Sequence, residues 1–405
     1  MKDYIKLAWR NIWRNKRRTI ICSASVFFGV VLSSFMSSMQ EGSYESYIKT
    51  IVNFYSGYIQ IHQKGYWSDK IINNTLDYTL AKPKIPSLKG ITVTTPRLEN
   101  YALASMEDIT KGVMVIGIAP QQEDSITNLS KRISEGRYLT NGDTGVVLGS
   151  TLAKYMKVGL NDTLILLSQG YHGGSAAGKY PVRGIIKQPS PDLDRTAVYM
   201  DMTTAQELFS AQGRLTSVVV MVDDADQVPV IKRKLALKLG DEYEVMDWKE
   251  MNSMLIKQID SDRASGIIMK GILYLIIAFG ILGTVMMMTA ERRKEFGVLV
   301  AVGMQKYKLG YVLLLETIML GFVGVIAGIA ASIPITWYFL YHPIPLTGQA
   351  AETMLQMGFE PIMPFSMVPF VYYNQAITIF VFTLLIGLYP VFNITRLEIS
   401  KALRS

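Results

Sequence analysis

Four long apolar stretches constrain this chain more than anything else in it. A helix needs about 20 mostly apolar residues to cross a hydrocarbon core ~30 Å thick. Thr19–Gln40 meets that with no charge, and Ile267–Ala290 carries only Lys270, near enough to one end to snorkel. Tyr311–Leu340 contains Glu316 and Pro334, and the shorter Gln375–Asn393 has Pro390 near its end. Basic residues precede the first stretch as in a signal peptide. Its apolar run exceeds an ordinary signal core, so an uncleaved anchor is expected. A mean hydropathy of +0.22 with 18% charged residues excludes intrinsic disorder. The single cysteine, Cys22, leaves no intrachain disulfide and no Cys-based zinc cluster.

The net charge of +8 invites a nucleic-acid reading until its location is considered. Residues 1–18 carry +6, the connection 291–310 carries +3 and the tail 394–405 carries +2. The connection 341–374 has no Lys or Arg, and 41–266 is close to neutral. The positive-inside rule then expects both termini and 291–310 in the cytoplasm, with 41–266 and 341–374 outside. The basic excess faces lipid headgroups, and nucleic acid loses its support.

The expected fold class is an α-helical membrane protein with four transmembrane helices and a large extracytoplasmic α+β domain between helices 1 and 2. The expected order is a cytoplasmic amphipathic helix 1–18, spans 19–40, 267–290, 311–340 and 375–393, a coupling helix within 291–310, and a cytoplasmic tail 394–405. Within 41–266, an α/β lobe is expected from 41–119 and 215–266, interrupted by a β-rich insert over 120–214. Strands are expected at Tyr58–His62, Val113–Ile118, Gly145–Leu148, Thr163–Leu167, Val182–Ile186, Ala197–Met200 and Ser217–Val222, with another at Glu244–Met246. Short helices are expected around Ser150–Met156 and Thr203–Phe209, and a longer one from about Gln227 to Leu239. A polar helix from Trp248 to Ser265 would run directly into the second span.

No catalytic constellation stands out. His62, His172 and His342 are scattered, with no paired metal-ligand spacing. Gly170, Tyr171, His172, Gly173, Gly174 and Lys179 resemble a phosphate cradle only superficially, lacking Gly-Lys-Ser/Thr at a helix start. A hairpin loop is the plain reading, and a loop touching cargo or a partner is the functional one. Asp223, Asp224 and Asp226 lack the glycine and distal Glu of a calcium loop. Gly321, Gly324 and Gly328 recur at helical spacing in the third span, as close helix packing requires. Glu316, inside hydrocarbon, needs a partner or water. The six serines of the first span and Met286–Met288 fit either ordinary span packing or an adaptable lipid cavity.

Two short segments carry more information. Ile5, Ala8, Trp9, Ile12 and Trp13 share one helical face opposite Lys6, Arg10, Arg14 and Arg17, a pattern suited to the headgroup region. The run Glu291, Arg292, Arg293, Lys294, Glu295, Phe296, Gly297 continues to Leu299, Val300, Gly303 and Met304. Phe296, Leu299, Val300 and Gly303 fall on one side of a helix with little cytoplasmic chain to bury against. Such a face is expected to dock into a partner's groove, or else to lie flat on the bilayer.

The run ERRKEFGVLVAVGM, followed by Glu316, resembles the cytoplasmic coupling region of FtsX/MacB-type ABC transporter permeases. LAWRNIWRNKRRT, GIAPQQED, GRYLTNGDTGVVLGSTLAKYMKVGLNDTL and YPVFNITRLEISKALR are similar to the same family, in the expected order over nearly the whole chain. Without a fused ATPase domain, the arrangement is most similar to the lipoprotein-releasing permeases of the Lol system, LolC and LolE. The resemblance implies a MacB-like periplasmic core with a porter-like lobe, in a multi-pass protein of the bacterial inner membrane. It implies a second permease chain, identical or related, and two copies of a separate cytoplasmic ATPase holding ATP and Mg. No cofactor is expected on this chain. ATP-driven closure would push on the coupling helix to extract or release a lipoprotein or other amphiphile. In Lol permeases a hairpin captures a periplasmic carrier, and the matching stretch here is 168–182, rich in Gly and Ala. MacB-like efflux and an FtsX-like signal relay to a periplasmic partner remain open beside lipoprotein release.

Overall fold

The computed structural model describes residues 2–14, 16–82, 85, 88–356 and 360–395. The expected tail residues Arg396, Lys401 and Arg404 therefore lie outside the described residues. The chain divides into a helical unit (Met1–Ser46, Gln258–Pro345 and Ile362–Ser405) and an α/β unit (Tyr47–Lys257 and Leu346–Pro361).

The helical unit is built from α1 (Lys2–Arg14), α2 (Lys16–Ile51), α3 (Ser253–Glu291), α4 (Arg293–Ala301), α5 (Lys306–Tyr341) and α6 (Pro369–Thr395). Helices α2, α3, α5 and α6 are each long and apolar enough to cross a membrane. One of them outruns the stretch read from the sequence, and another is the polar helix expected to run into the second span, starting at Ser253 rather than Trp248. The helix beginning at Lys16 continues beyond Gln40, and the polar stretch before Ile267 is one helix with the apolar stretch after it. Apolarity marks what lipid tolerates, not where a helix stops. Val26 and Val30 of α2 meet Ile281 and Val285 of α3, Leu320 and Val325 of α5, and Ile379 of α6 in one core. Polar ties add register: Tyr44 donates to Asp262 at 2.9 Å, and Arg263 pairs with Glu41 at 3.0 Å. The segment before α6 is fastened to α2 where Ser38 donates to the Ser366 carbonyl at 2.6 Å and the Ser366 amide donates to the Ser38 carbonyl at 3.0 Å.

The α/β unit carries β1 (Ile59–Gln63), β2 (Leu76–Asp77), β3 (Ile91–Met106), β4 (Ile109–Ile118), β5 (Ile133–Gly136) and β6 (Val146–Gly149). It continues with β7 (Thr163–Gln169), β8 (Ser175–Ile186), β9 (Ala197–Asp201), β10 (Arg214–Leu215), β11 (Ser217–Val222) and β12 (Tyr243–Asp247). Ten of these strands form one sheet, ordered β12-β1-β11-β3-β4-β9-β6-β8-β5, with β7 bridging β3 and β8. That bridge closes β3, β4, β9, β6, β8 and β7 into a small barrel. The pairs β4/β9 and β6/β8 are parallel and the others antiparallel.

Strand alternation shows why the barrel strands read as unbroken apolar runs. Val113 and Val115 of β4, Val146 and Leu148 of β6, and Val198 and Met200 of β9 enter one core. Their neighbours Ile116, Ile118, Val147, Ala197 and Tyr199 enter another on the opposite face. A third core sits between β1, β11 and the helix Val228–Leu239, where Ile59, Ile61, Val218 and Val220 meet Ile231, Leu235 and Leu239.

The sixteen-residue β3 belongs to both regions and is absent from the strands expected above. Pro96, Arg97 and Glu99 interrupt its apolar alternation, so local pattern hides it. Because β3 and β4 supply a third of the barrel, the boundary expected at residue 120 falls inside a sheet. Pairing between distant strands decides this, and no local signal reports it.

Arg97 is the polar centre of this unit. Its guanidinium meets Glu123, at the first helical turns of Pro120–Thr127, through Nε at 3.0 Å and Nη2 at 2.6 Å. Its Nη1 donates to the Tyr55 carbonyl at 2.5 Å, in the widened helical turn Val52–Ser56. Arg97 and Glu123 are both about 1% exposed, so removing one leaves the other as an uncompensated buried charge. Arg97→Ala should cost ~3–5 kcal/mol, read as a fall in the thermal midpoint of the full chain. A midpoint within a degree of the native one would show that the pair does not anchor the unit.

Candidate functional site

The short helix α4 and its surroundings form the strongest candidate. Arg292, just before α4, is buried and donates through Nη1 to Glu316 Oε2 of α5 at 2.7 Å. Asn11 of α1 donates to the other carboxylate oxygen, Oε1, at 2.6 Å. Arg292 Nε also lies 3.3 Å from Glu295, which in turn pairs with Arg14 of α1 at 3.0 Å. The Arg292 guanidinium lies 5.1 Å from the Phe296 ring centre. Three pieces of chain thus meet at one carboxylate, α1, the α3–α4 junction and α5, and α4 is tied in through Arg292.

The physical reason is the position of Glu316. It is 3% exposed within an apolar helix, where a lone carboxylate would be costly. A guanidinium and an amide on its two oxygens supply the charge and the donors it requires. The pair Arg14–Glu295 is exposed and adds little by itself; its role is to keep α1 and α4 adjacent.

The face of α4 corrects one expectation. Phe296 is 1% exposed and packs on Leu309 and Leu313 of α5 and Ile394 of α6, with Val300 and Met304 beside it. The chain itself therefore covers this face, because α5 and α6 project beyond the apolar core far enough to meet it. Gly297 is also buried. The outward apolar residues are Val298, Leu299 and Val302, at 46%, 41% and 83% exposure. Glu291, Arg293 and Glu295 are exposed.

Gly303 has a structural role of its own. It ends the helix at φ +107°, donating its amide to the Val300 carbonyl at 3.1 Å, while the Met304 amide reaches Leu299 at 3.0 Å. This paired closure needs a left-handed residue, for which glycine is favoured. The amphipathic α1 also divides differently from its sequence pattern. Ala8 and Ile12 are buried, and the helix packs on α5, while Trp9 and Trp13 remain half exposed.

The glycines of α5 mark two close contacts. A methyl at Gly324 would lie 2.7 Å from Val26 Cβ, and one at Gly328 would lie 2.7 Å from Val30 Cβ, both on α2. Gly321 faces Thr383 of α6. Ser33, Ser34, Ser37 and Ser38 of α2 are buried, whereas Met286 and Met287 are exposed.

The glycine-rich stretch is the β7–β8 connection. Gly170 to Gly174 form its tip, closed by the Gly170 amide on the Gly174 carbonyl at 2.7 Å, and Lys179 already lies in β8. Tyr171 donates its amide to the Phe209 carbonyl at 2.8 Å, and His172 donates to Asn73 Oδ1 at 2.7 Å. Among the described residues, no cluster of three or more His, Cys, Asp or Glu could hold a metal ion.

Asn11 and Arg14 are the site residues that sequence reasoning missed. The sequence raised the question through Glu316, but partners 305 and 24 positions away have no spacing signature.

Two family models match the chain: the FtsX-like permease C-terminal model over residues 267–399 and the MacB-like periplasmic core domain model over residues 19–237. The chain is 23% identical over 322 residues to the lipoprotein-releasing system transmembrane protein LolC of Xylella fastidiosa, covering 76% of each. It is 23% identical over 259 residues to the corresponding LolE of Haemophilus influenzae, covering 61% of this chain and 60% of that one. It is 18% identical over 359 residues to the macrolide export ATP-binding/permease protein MacB of Agrobacterium fabrum, covering 84% of this chain and 53% of that one. The solved periplasmic region of MacB from Actinobacillus actinomycetemcomitans aligns with 50% of this chain and 94% of its own, at 16% identity and a TM-score of 0.36.

The Arg292–Glu316 pair makes a double-variant prediction. Arg292→Met alone should destabilise the detergent-solubilised chain by ~3–5 kcal/mol, and adding Glu316→Leu should recover most of it. Thermal unfolding of the single and double variants checks this. A double variant no more stable than the single one would refute the pairing.

Proposed function

The chain belongs to the FtsX/MacB-type ABC transporter permeases, and on that footing we propose that it couples a separate cytoplasmic ATPase to release of a lipoprotein from a membrane. The supporting observation is the polar junction on Glu316. It fastens the start of α4 to α1 and α5, so a force on α4 has a charged, hydrogen-bonded route into a membrane helix. A packed ion pair transmits displacement better than a loop because its geometry has few alternatives.

In this reading the coupling helix sits in the cytoplasm together with both termini. The basic belt of residues 1–18 and 291–310 supports that orientation. The ATPase then meets Val298, Leu299 and Val302, flanked by the charged Glu291 and Arg293, rather than the buried Phe296. A helix with a few outward apolar anchors suits a groove in a partner. Segment 41–266 lies outside the cytoplasm in this reading, at the bacterial inner membrane, and a second permease chain, identical or related, completes the transporter. ATP and Mg belong to the ATPase, whose closure drives the cycle.

Lipoprotein as cargo is supported by the two relatives named as lipoprotein-releasing proteins, at low identity over most of the chain. The glycine-rich β7–β8 tip is the proposed contact for cargo or a periplasmic carrier. Its anchoring to Phe209 and Asn73 presents Tyr171 and His172 in a defined geometry.

Two outcomes check the proposal. Leu299→Asp combined with Val302→Asp should abolish co-purification of the ATPase while membrane insertion is kept; unchanged co-purification would refute the docking surface. The purified complex in lipid should hydrolyse ATP faster with lipoprotein and release it to a soluble acceptor. ATPase activity indifferent to lipoprotein, with no release, would overturn the cargo.

A further inference from the structure

A second polar centre lies within the α/β unit, and among the described residues one of its carboxylates has no cation within hydrogen-bond range. Arg97 stands near two carboxylates but saturates one of them. Nε and Nη2 hold Glu123, and Nη1 is spent on the Tyr55 carbonyl. Glu99 lies 4.0 Å from Nη1, outside hydrogen-bond range, and accepts a hydrogen bond from the Tyr55 hydroxyl at 2.9 Å. One guanidinium therefore stands beside two carboxylates and hydrogen-bonds only Glu123, while Lys70, which lines the same cavity, balances the charge without an ion pair to Glu99. Burial pushes the Glu99 carboxyl above its ordinary value, against the opposing pull of the Arg97 and Lys70 charges. Its side chain is 19% exposed, and it lines a cavity of about 60 Å³.

The same cavity is lined by His62, whose ring carries an orphaned nitrogen. His62 is 1% exposed, and its Nδ1 lies 2.9 Å from the Thr216 carbonyl. A carbonyl only accepts, so Nδ1 carries the proton. Burial lowers the imidazole to about 4, so the ring is neutral at ordinary pH and Nε2 is a bare acceptor. That atom is buried and has no hydrogen-bond partner. The walls are aromatic: Tyr66 stacks on the imidazole at 5.3 Å, Trp67 lies 5.5 Å from it, and Tyr101 lines the cavity as well.

A carboxylate without a cation in hydrogen-bond range, an unpaired acceptor and aromatic faces share one preference, for a cation that also donates hydrogen bonds. A carboxylate or phosphate is repelled by Glu99, and a purely apolar group leaves His62 Nε2 unpaired. Lys70 shows that the environment accepts an ammonium. Its Nζ sits over the Trp67 ring at 4.2 Å, and it lines both the cavity and an adjoining groove of about 560 Å³. Among the described residues it forms no ion pair with Glu99.

We propose that this pocket binds a primary ammonium group on an alkyl stem, with Glu99 and His62 Nε2 accepting its hydrogens and Trp67 and Tyr101 flanking it. The groove outside, with Ile71, Leu103 and Leu167 exposed along it, accommodates whatever bears the stem. A lysine side chain and an aminoethyl phosphate headgroup present the same terminal group. Lys70 is a like charge at the entrance and weakens entry.

The test uses the full chain in detergent at neutral pH, titrated with n-butylammonium chloride and followed by tryptophan fluorescence. Butan-1-ol serves as the uncharged control of similar shape, and sodium chloride controls for ionic strength. A saturable response to butylammonium alone is expected, absent in Trp67→Phe. Glu99→Gln should weaken binding by about tenfold or more, as loss of a charge-assisted hydrogen bond implies. Lys70→Asn, which tolerates the left-handed backbone at that position, should strengthen it. Tyr101→Ala, at an exposed position, should weaken it and keeps the test decisive if Glu99→Gln fails to fold. Competition by Nα-acetyl-lysine amide or by O-phosphorylethanolamine supports the pocket and identifies the source of the ammonium. An unsaturable response, equal effects of butanol and butylammonium, or native affinity in Glu99→Gln would each overturn the proposal.

Discussion

A carboxylate inside a membrane helix is the constraint on which the helical unit depends. Glu316 is tolerated because Arg292 and Asn11 occupy its two oxygens. That requirement joins three separate pieces of chain at one point and sets where α4 begins. The apolar packing of Phe296 on Leu309, Leu313 and Ile394 then holds the helix against the bundle. Hydrophobic contact alone could slide along α5, since lipid and side chains are similarly apolar. The ion pair defines a single register, and coupling needs a defined register.

The α/β unit solves a related problem with different economy. Arg97 and Glu123 neutralise each other in the interior, and the guanidinium also satisfies a carbonyl of the turn Val52–Ser56. The sheet then splits around β3: its first half pairs with β11 and its second half with β7. Glu99 and Tyr101 lie between those two pairings, where the polar pocket and its groove open. The closed barrel and the pocket beside it are thus consequences of one long strand that pairs with β4 and, in turn, with β11 and β7.

Local readings succeeded where the physical signal is local. The helix expected at Ser150–Met156 and the strand expected at Ser217–Val222 have those bounds in the structure. The strand at Val113–Ile118 is the apolar end of a longer one, Ile109–Ile118. The reading of β3 failed because its polar residues face a buried ion cluster, which reverses the usual meaning of charge in a strand. The expected partnerless face of α4 failed for the converse reason. Phe296 is covered by residues near it in space, among them Ile394, that no helical periodicity connects to it.

Sequence by itself determined that the chain carries four membrane-length apolar stretches, where its positive charge lies, and which permease family its motifs resemble. Those properties are sums over neighbouring residues, because lipid crossing depends on continuous apolarity and a motif on order along the chain. Tertiary structure alone decided which residues of α4 remain available, which partners Glu316 takes, that six strands close a barrel through β3, and that Glu99 and His62 share a pocket. Each of these depends on groups tens to hundreds of residues apart. A buried charge selects its partner by distance in space, which sequence separation does not encode.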